Sequence, residues 1–305
     1  MAPVRAPDIA SDDESRLSAE SRALAAAIVT VTIWASAFVG IRALAATFSP
    51  GSIALGRLLV GTVVLAVFAL PRPRPALSRG DLFSSLSFGG LWFGLYSVAL
   101  NAGERQVDAG TAAMLVSLGP ILIALLAAVF LGERVSVPLL AGCAVALAGT
   151  VVVAASASDG SRAGPSTQGV ALCVMAVVAY AAAATLQKRA LQTVPAAWVN
   201  LIGAAAACLA CLPFAPGLVW ELRAAGPAQT GWLVYLGVFP TAIGFTTWAY
   251  ALGRMSVGRL AAMTYLMAPV TIALSWLLLA ELPTAQSLAG GALCVAGVVL
   301  ARSKW

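Results

Sequence analysis

The chain has 305 residues, 61% of them hydrophobic and only 10% charged, with a mean hydropathy of +0.94; this excludes an ordinary soluble domain and describes a membrane protein. The net charge of +6 comes with no clustered Lys/Arg face and no interleaved stacking aromatics, so nucleic acid is not an expected partner. Histidine is absent and all five cysteines (Cys143, Cys173, Cys208, Cys211, Cys294) fall in apolar stretches; the one C-x-x-C, at Cys208 and Cys211, has no second pair, so neither a metal nor a cofactor is expected.

In chain order, residues 1–22 are polar, acidic in the middle and proline-containing, which predicts a disordered tail. They lack the basic start and short apolar core of a cleaved signal, so the first apolar stretch is expected to be a permanent helix. A bilayer core about 30 Å thick takes roughly 20 apolar residues per helix. Ten such stretches follow, at about 23–46, 52–70, 82–102, 109–131, 136–154, 168–191, 196–214, 230–252, 257–280 and 284–301. The longest connections, 155–167 and 215–229, show no hydrophobic pattern of their own and leave no room for a soluble domain.

With the N-terminus cytoplasmic, Arg5, Arg16, Arg22, Arg72, Arg74, Arg79, Arg134, Lys188, Arg189, Arg254, Arg259, Arg302 and Lys304 share its side of the membrane. Only Arg42, Arg105, Arg162 and Arg223 fall opposite, thirteen against four. The positive-inside bias therefore puts both termini in the cytoplasm, as in a bacterial-type inner membrane.

The chain also resembles itself. A shift of 149 sets Ala102 on Ala251, Arg105 on Arg254, Ala112, Ala113 and Met114 on Ala261, Ala262 and Met263, and Pro120 on Pro269. At 148, Glu133, Gly142 and Gly149 meet Glu281, Gly290 and Gly297; at 146, Trp34 meets Tyr180 and Arg42 meets Lys188. The expected organisation is a first five-helix repeat at 23–154, a linker at 155–167 and a second repeat at 168–305. Because five is odd, the second copy enters the membrane from the other side, an inverted-topology repeat. The fold class is thus an all-α polytopic membrane protein of ten transmembrane helices in two inverted repeats. Alternating access suits this symmetry better than a fixed pore.

The doubled pattern "GPILIALLAAVFLGE" and "APVTIALSWLLLAE", each followed by a glycine-spaced helix, resembles the EamA-type branch of the drug/metabolite transporter superfamily. So do "WASAF" in the first span and "LGRLLVG" in the second, which places Arg57 where such proteins commonly have an arginine. Ala35 and Ala280 depart from the usual glycines. The resemblance implies a central cavity lined by spans 1, 3, 4, 6, 8 and 9, and transport of small metabolites, often efflux of amino acids.

Pro120 and Pro269 lie near the middle of spans 4 and 9, where each removes the bond to a carbonyl four residues back, Val116 and Tyr265. In lipid a freed carbonyl needs protein, water or ligand, and matched proline-interrupted spans point to a substrate path or gate; a plain packing kink is the alternative. At helical spacing Trp34 and Phe38 share a face, as do Trp92 and Tyr96, then Thr241, Phe245 and Trp248. Met114, Ser117 and Ile121 flank Pro120, Met263, Tyr265 and Leu266 flank Pro269, and Tyr180 takes the place of Trp34. Each ring alone could serve lipid contact or packing; the set predicts a ring-lined site for an amphipathic small molecule.

None of the twelve acidic residues is mid-membrane, so facilitated diffusion or exchange is expected before proton coupling. Arg57 either snorkels to the interface or meets a substrate carboxylate or an acidic partner. Glu133 and Glu281 are expected to end their helices at the two surfaces, a gating role being the alternative, and Gly142, Gly149, Gly290 and Gly297 to make spans 5 and 10 close-packed supports. The reading is a secondary transporter, an exporter, of small neutral or zwitterionic metabolites such as hydrophobic or aromatic amino acids; nucleobases, drugs or other polar metabolites are the alternative cargo. An intramembrane enzyme lacks its nucleophile and base, and a channel lacks its polar stripe. Oligomeric state is left open.

Overall fold

The computed structural model describes residues 9–44, 46–104, 106, 115–157, 166–279, 282 and 284–303, and every element among them is helical. Helix α1 is Ile9–Leu44, α2 Pro50–Ala69 and α3 Arg79–Gly89, which runs through a π-helical segment, Gly90–Tyr96, into α4, Ser97–Glu104. Then come α5 (Gly119–Leu131), α6 (Val137–Ala157), α7 (Thr167–Ala190), α8 (Ala196–Ala210) and, after a 3₁₀ turn at Leu212–Phe214, α9 (Ala215–Ala224). Helix α10 (Pro227–Leu236) passes through a second π segment, Gly237–Ile243, into α11 (Gly244–Leu252). A 3₁₀ turn, Met263–Leu266, joins α12 (Val257–Ala262) to α13 (Met267–Leu279), and α14 is Ala285–Arg302.

Among the described residues eight helices are long and apolar enough to cross a membrane, nine if α8 and α9, bent by 51° at their junction, form one span. The protein is a multi-pass membrane protein. Helix α5 is shorter, and the first residues of the expected 109–131 span, Met114 among them, lie outside the described set, as does Glu281.

The helices start where side chains can take the orphan N–H groups. Ser49 caps α2 ahead of Pro50, Ser78 and Asp81 form a reciprocal capping box on α3, and Ser166 and Thr284 cap α7 and α14. Helix α5 ends on Gly132 at φ +66°, a left-handed stop that suits glycine.

Three expectations on organisation change. Residues 9–22, expected in a disordered tail, continue α1. The stretch 215–229, expected as a loop, contains α9, because Pro216 falls in a first turn where its missing N–H costs nothing. Helix α6 reaches Ala157, two residues into the expected linker.

Helices α6 and α14 pack along their lengths, while α1 lies against α10, α11 and α13, α5 against α7 and α12, and α2 against α8 and the second π segment. The α6–α14 contact is antiparallel, and at its glycines the two backbones approach directly. A Cβ on Gly142 would lie 2.5 Å from the Gly297 carbonyl oxygen, and one on Gly149 2.6 Å from that of Gly290. Glycine at these four places lets two backbones touch, as expected of supporting helices.

Candidate functional site: a ring layer between broken helices

Five elements deliver aromatic rings to one layer. Trp34 of α1 lies 5.9 Å from Trp92, 5.1 Å from Phe245 and 5.2 Å from Trp248, centroid to centroid. Trp92, in the first π segment, also meets Tyr180 of α7 at 4.8 Å, and Tyr180 meets Tyr96 at 5.8 Å. Phe88 and Phe93 complete the layer, Phe93 with Phe245 at 4.4 Å. Edge and tilted geometries dominate, as ring quadrupoles prefer. The central cavity expected from the resemblance is, in this structure, a place where rings fill the space with one another.

The π segments explain the convergence. Both have seven residues and they are 147 positions apart, at the register of the internal repeat. A π turn inserts a residue and swings the helix face, so the adjacent Trp92 and Phe93 are both buried in the layer. In the second segment Pro240 supplies the cause. It has no N–H for the Leu236 carbonyl, and the Thr241 hydroxyl donates to that oxygen at 2.9 Å instead. The Pro240 carbonyl accepts from the Trp34 indole at 3.1 Å. Gly244 makes room for that indole, since a Cβ there would be 2.7 Å from Trp34 Nε1.

Pro120 and Pro269 mark breaks of a different form from a mid-helix kink. Pro120 sits in the first turn of α5, after a turn at Ser117 and Leu118, and Pro269 follows the 3₁₀ turn Met263–Leu266 by two residues. A proline placed there costs no helical bond that the turn had not already given up. The two breaks meet: the Tyr265 hydroxyl donates to the Ser117 carbonyl at 2.6 Å. Protein thus satisfies a backbone oxygen at the first break with a side chain from the second.

One end of the bundle is clamped. Both carboxylate oxygens of Glu133 accept from the Val257 N–H, at 3.1 and 2.8 Å, capping α12. Beside it, Lys188 Nζ donates to the Leu252 and Met255 carbonyls at the end of α11, the second at 2.8 Å. Glu133 therefore follows the end of one helix and caps another, binding neighbouring backbone.

Further inside, Gln187 of α7 and Asn200 of α8, both buried, form a closed network. Gln187 Nε2 donates to Asn200 Oδ1 at 3.0 Å, Trp248 Nε1 to Gln187 Oε1 at 3.0 Å, and Asn200 Nδ2 to the Phe245 carbonyl at 2.9 Å. The network holds the Trp248 indole and the Phe245 backbone of α11 in place.

Of the residues singled out from sequence, Trp34, Trp92, Tyr96, Tyr180, Phe245 and Trp248 come together in the layer. Tyr265 and Ser117 join the two breaks, and Met263 lines a groove of about 430 Å³ with Leu24, Ile28, Leu266 and Val298. The Phe38 side chain and Met114 lie outside the described residues. A second groove, about 350 Å³, is lined by Ser36, Val39, Trp232 and Tyr235. Along α1 the grooves fall on either side of Trp34. Sequence reasoning missed Phe88, Phe93, the Gln187–Asn200 network and Pro240, although a proline in the middle of the 230–252 span was a signal as plain as Pro120.

Membrane-length helices, with irregular turns at matching places in two halves around an aromatic and polar interior, have the build of a transporter. The EamA-like transporter family matches the chain twice, over residues 21–155 and 167–303, and the chain belongs to that family. It is 37% identical to a protein of Streptantibioticus cattleyicolor named as a probable terminal-alkyne amino-acid exporter, over 92% of this chain and 93% of that one. It is also 31% identical to the uncharacterized transporter YdfC of Bacillus subtilis, over 88% and 87% of the two chains. Identity is 26% with a probable amino-acid metabolite efflux pump of Salmonella typhimurium, over 90% and 92%. One solved crystal structure shares the fold, with a TM-score of 0.74, 21% identity, and coverage of 92% of this chain and 96% of that one.

Proposed function

We propose that the protein exports small amphipathic metabolites, foremost amino acids with apolar or aromatic side chains, across a bacterial-type inner membrane with both its termini in the cytoplasm. The observation that carries this reading is the ring layer, to which both copies of the family match contribute: Trp34, Trp92 and Tyr96 from the first, Tyr180, Phe245 and Trp248 from the second. The names of the relatives from S. cattleyicolor and S. typhimurium support an amino-acid cargo.

In this mechanism the chain is two inverted five-helix halves, ten spans in all, and the halves rock about the ring layer. The grooves on either side of Trp34 are the two approaches. An entering aryl or alkyl side chain replaces ring-on-ring contacts with contacts of the same kind, each worth about 0.5–1.5 kcal/mol. Entry and release therefore stay nearly balanced, as transport requires. The Glu133 clamp holds one end shut, and its release, with the opposite end closing, completes the cycle. With every carboxylate of the sequence in the tail or at a span end, facilitated diffusion or exchange is the proposed energetics.

The test is a panel of amino acids, nucleobases and cationic drugs in proteoliposomes, with and without an imposed pH gradient. Saturable movement of apolar or aromatic amino acids, insensitive to the gradient, is the expected result. Movement of nucleobases or drugs alone would replace the cargo, gradient-driven movement would replace the energetics, and ionic currents would contradict the mechanism.

A further inference from the structure

Arg57 stands apart from every other basic residue of the chain. It lies seven residues into α2, about 10 Å from the start of that helix at 1.5 Å per residue. An arginine at such a place is expected to reach for the interface. Here it turns inward: Arg57 Nε donates to the Thr241 hydroxyl oxygen at 3.1 Å. Thr241 is wholly buried in the second π segment, and its own proton goes to the Leu236 carbonyl. The hydroxyl is therefore oriented, with a lone pair presented to the guanidinium.

The approach is built into the backbone. A Cβ on Gly61 would lie 2.6 Å from Thr241 Cγ2, and one on Gly237 2.9 Å from the Arg57 carbonyl, so α2 and the π segment touch where the arginine leaves its helix. Tyr96 of the first π segment is within electrostatic reach of the same guanidinium. Tyr96 in turn contacts Tyr180, which contacts Trp92. Arg57 is thus held against the second π segment, whose Thr241 lies one helical turn before Phe245 of the ring layer.

What it lacks is a counter-charge. Among the described residues Thr241 is its one hydrogen-bond partner, through Nε, and no Asp or Glu pairs with it. The terminal nitrogens, a planar fork suited to two parallel bonds with a carboxylate, have no protein acceptor there. Arg57 is half-buried; a cation taken even partly out of water without an anion is costly, and an ionisable group held inside a membrane bundle marks a functional site.

We infer that Arg57 anchors the carboxylate of the transported molecule, with the ring layer receiving its side chain. Thr241 and Phe245 are one helical turn apart, a rise of about 6 Å, comparable to the span from the carboxylate to the ring of an aromatic amino acid. The inference rests on the proposed transport function and narrows it to solutes with a free carboxylate. Thr241 is a positioning residue that fixes Nε and leaves the fork free.

The experiment compares counterflow of L-phenylalanine and L-phenylalaninamide in proteoliposomes of the full-length protein and of Arg57→Gln and Arg57→Lys. The wild type is expected to move the acid at least about tenfold faster than the amide, the factor that about 1.4 kcal/mol of differential binding supplies. Arg57→Gln should bring the acid down to the rate of the amide while leaving the amide within about twofold, and Arg57→Lys should restore part of the acid rate. A wild type that moves acid and amide equally overturns the anchor and leaves the transport function standing, a comparison that needs no variant to fold. Arg57→Gln slowing both solutes alike overturns it too, because a structural tie between α2 and the π segment would do that. A wild type that moves neither overturns the amino-acid cargo together with the anchor.

Discussion

The α6–α14 pair and the ring layer solve opposite problems with the same kind of helix. Helices α6 and α14 run unbroken, and Gly142, Gly149, Gly290 and Gly297 bring backbone against backbone with only small or short side chains such as Ala146, Val153 and Cys294 between them. Around the rings every path is interrupted: π segments at Gly90–Tyr96 and Gly237–Ile243, a turn at Ser117 and Leu118, and a 3₁₀ turn at Met263–Leu266. There the contacts are side chain to backbone, such as Tyr265 to Ser117 and Trp34 to Pro240, each of which can be remade elsewhere. Backbone contact builds a rigid frame; in the proposed mechanism it is the side-chain contacts across broken helices that are exchanged.

The largest expected effect lies in the frame. Gly142→Leu puts a side chain where even a Cβ would come within 2.3 Å of the Ala301 nitrogen, and should cost about 3 kcal/mol, the upper part of the usual overpacking range, read as a lowered unfolding midpoint in detergent. Gly94→Ala is the contrasting variant. Nothing lies within 4 Å of its added Cβ, so stability should stay within about 1 kcal/mol, while transport slows severalfold as a better helix former tightens the π segment. If Gly94→Ala unfolds the protein and Gly142→Leu does not, the contrast between frame and moving interior is wrong.

A smaller loss is expected from Gln187→Leu, which strands Trp248 Nε1 and Asn200 Oδ1. Leaving such groups unpaired costs about 1–3 kcal/mol, and the loosened Trp248 should raise the substrate concentration for half-maximal transport. Tyr265→Phe removes the bond joining the two breaks and should cost about 1 kcal/mol, with the turnover rate changing more than the unfolding midpoint. The smallest is Glu133→Gln, which weakens a charge-assisted cap on α12 by about 0.5 kcal/mol. It should speed labelling of Ser256→Cys by a membrane-impermeant maleimide in a background free of other cysteines. Unchanged labelling would remove Glu133 from the clamp.

Hydropathy made the helices legible because lipid demands long apolar runs, and the glycine spacing in α6 and α14 announced their contact. Trp34, Trp92, Tyr180, Phe245 and Trp248 could be gathered from helical spacing, since each lies well inside an apolar run. Phe93 could not, because on a regular helix it would point away from Trp92; the π segment that turns both inward has no proline to reveal it. Gln187 and Asn200 belong to no sequence motif, and only their mutual contact across α7 and α8 gives them a role. The direction of Arg57 depended on Thr241, whose hydroxyl is oriented by the gap that Pro240 leaves in the hydrogen-bond ladder. Helix α9 escaped detection because ten residues with proline in the first turn read as a loop by periodicity.

The most direct test of the account is hydrogen–deuterium exchange, followed by mass spectrometry, on the protein in proteoliposomes with and without a transported amino acid. Changes on adding substrate should concentrate in 90–96, 115–119, 237–243 and 263–266, with 137–157 and 285–302 unaltered. Changes spread evenly over the helices, or strongest in α6 and α14, would contradict a fixed frame around a moving ring layer.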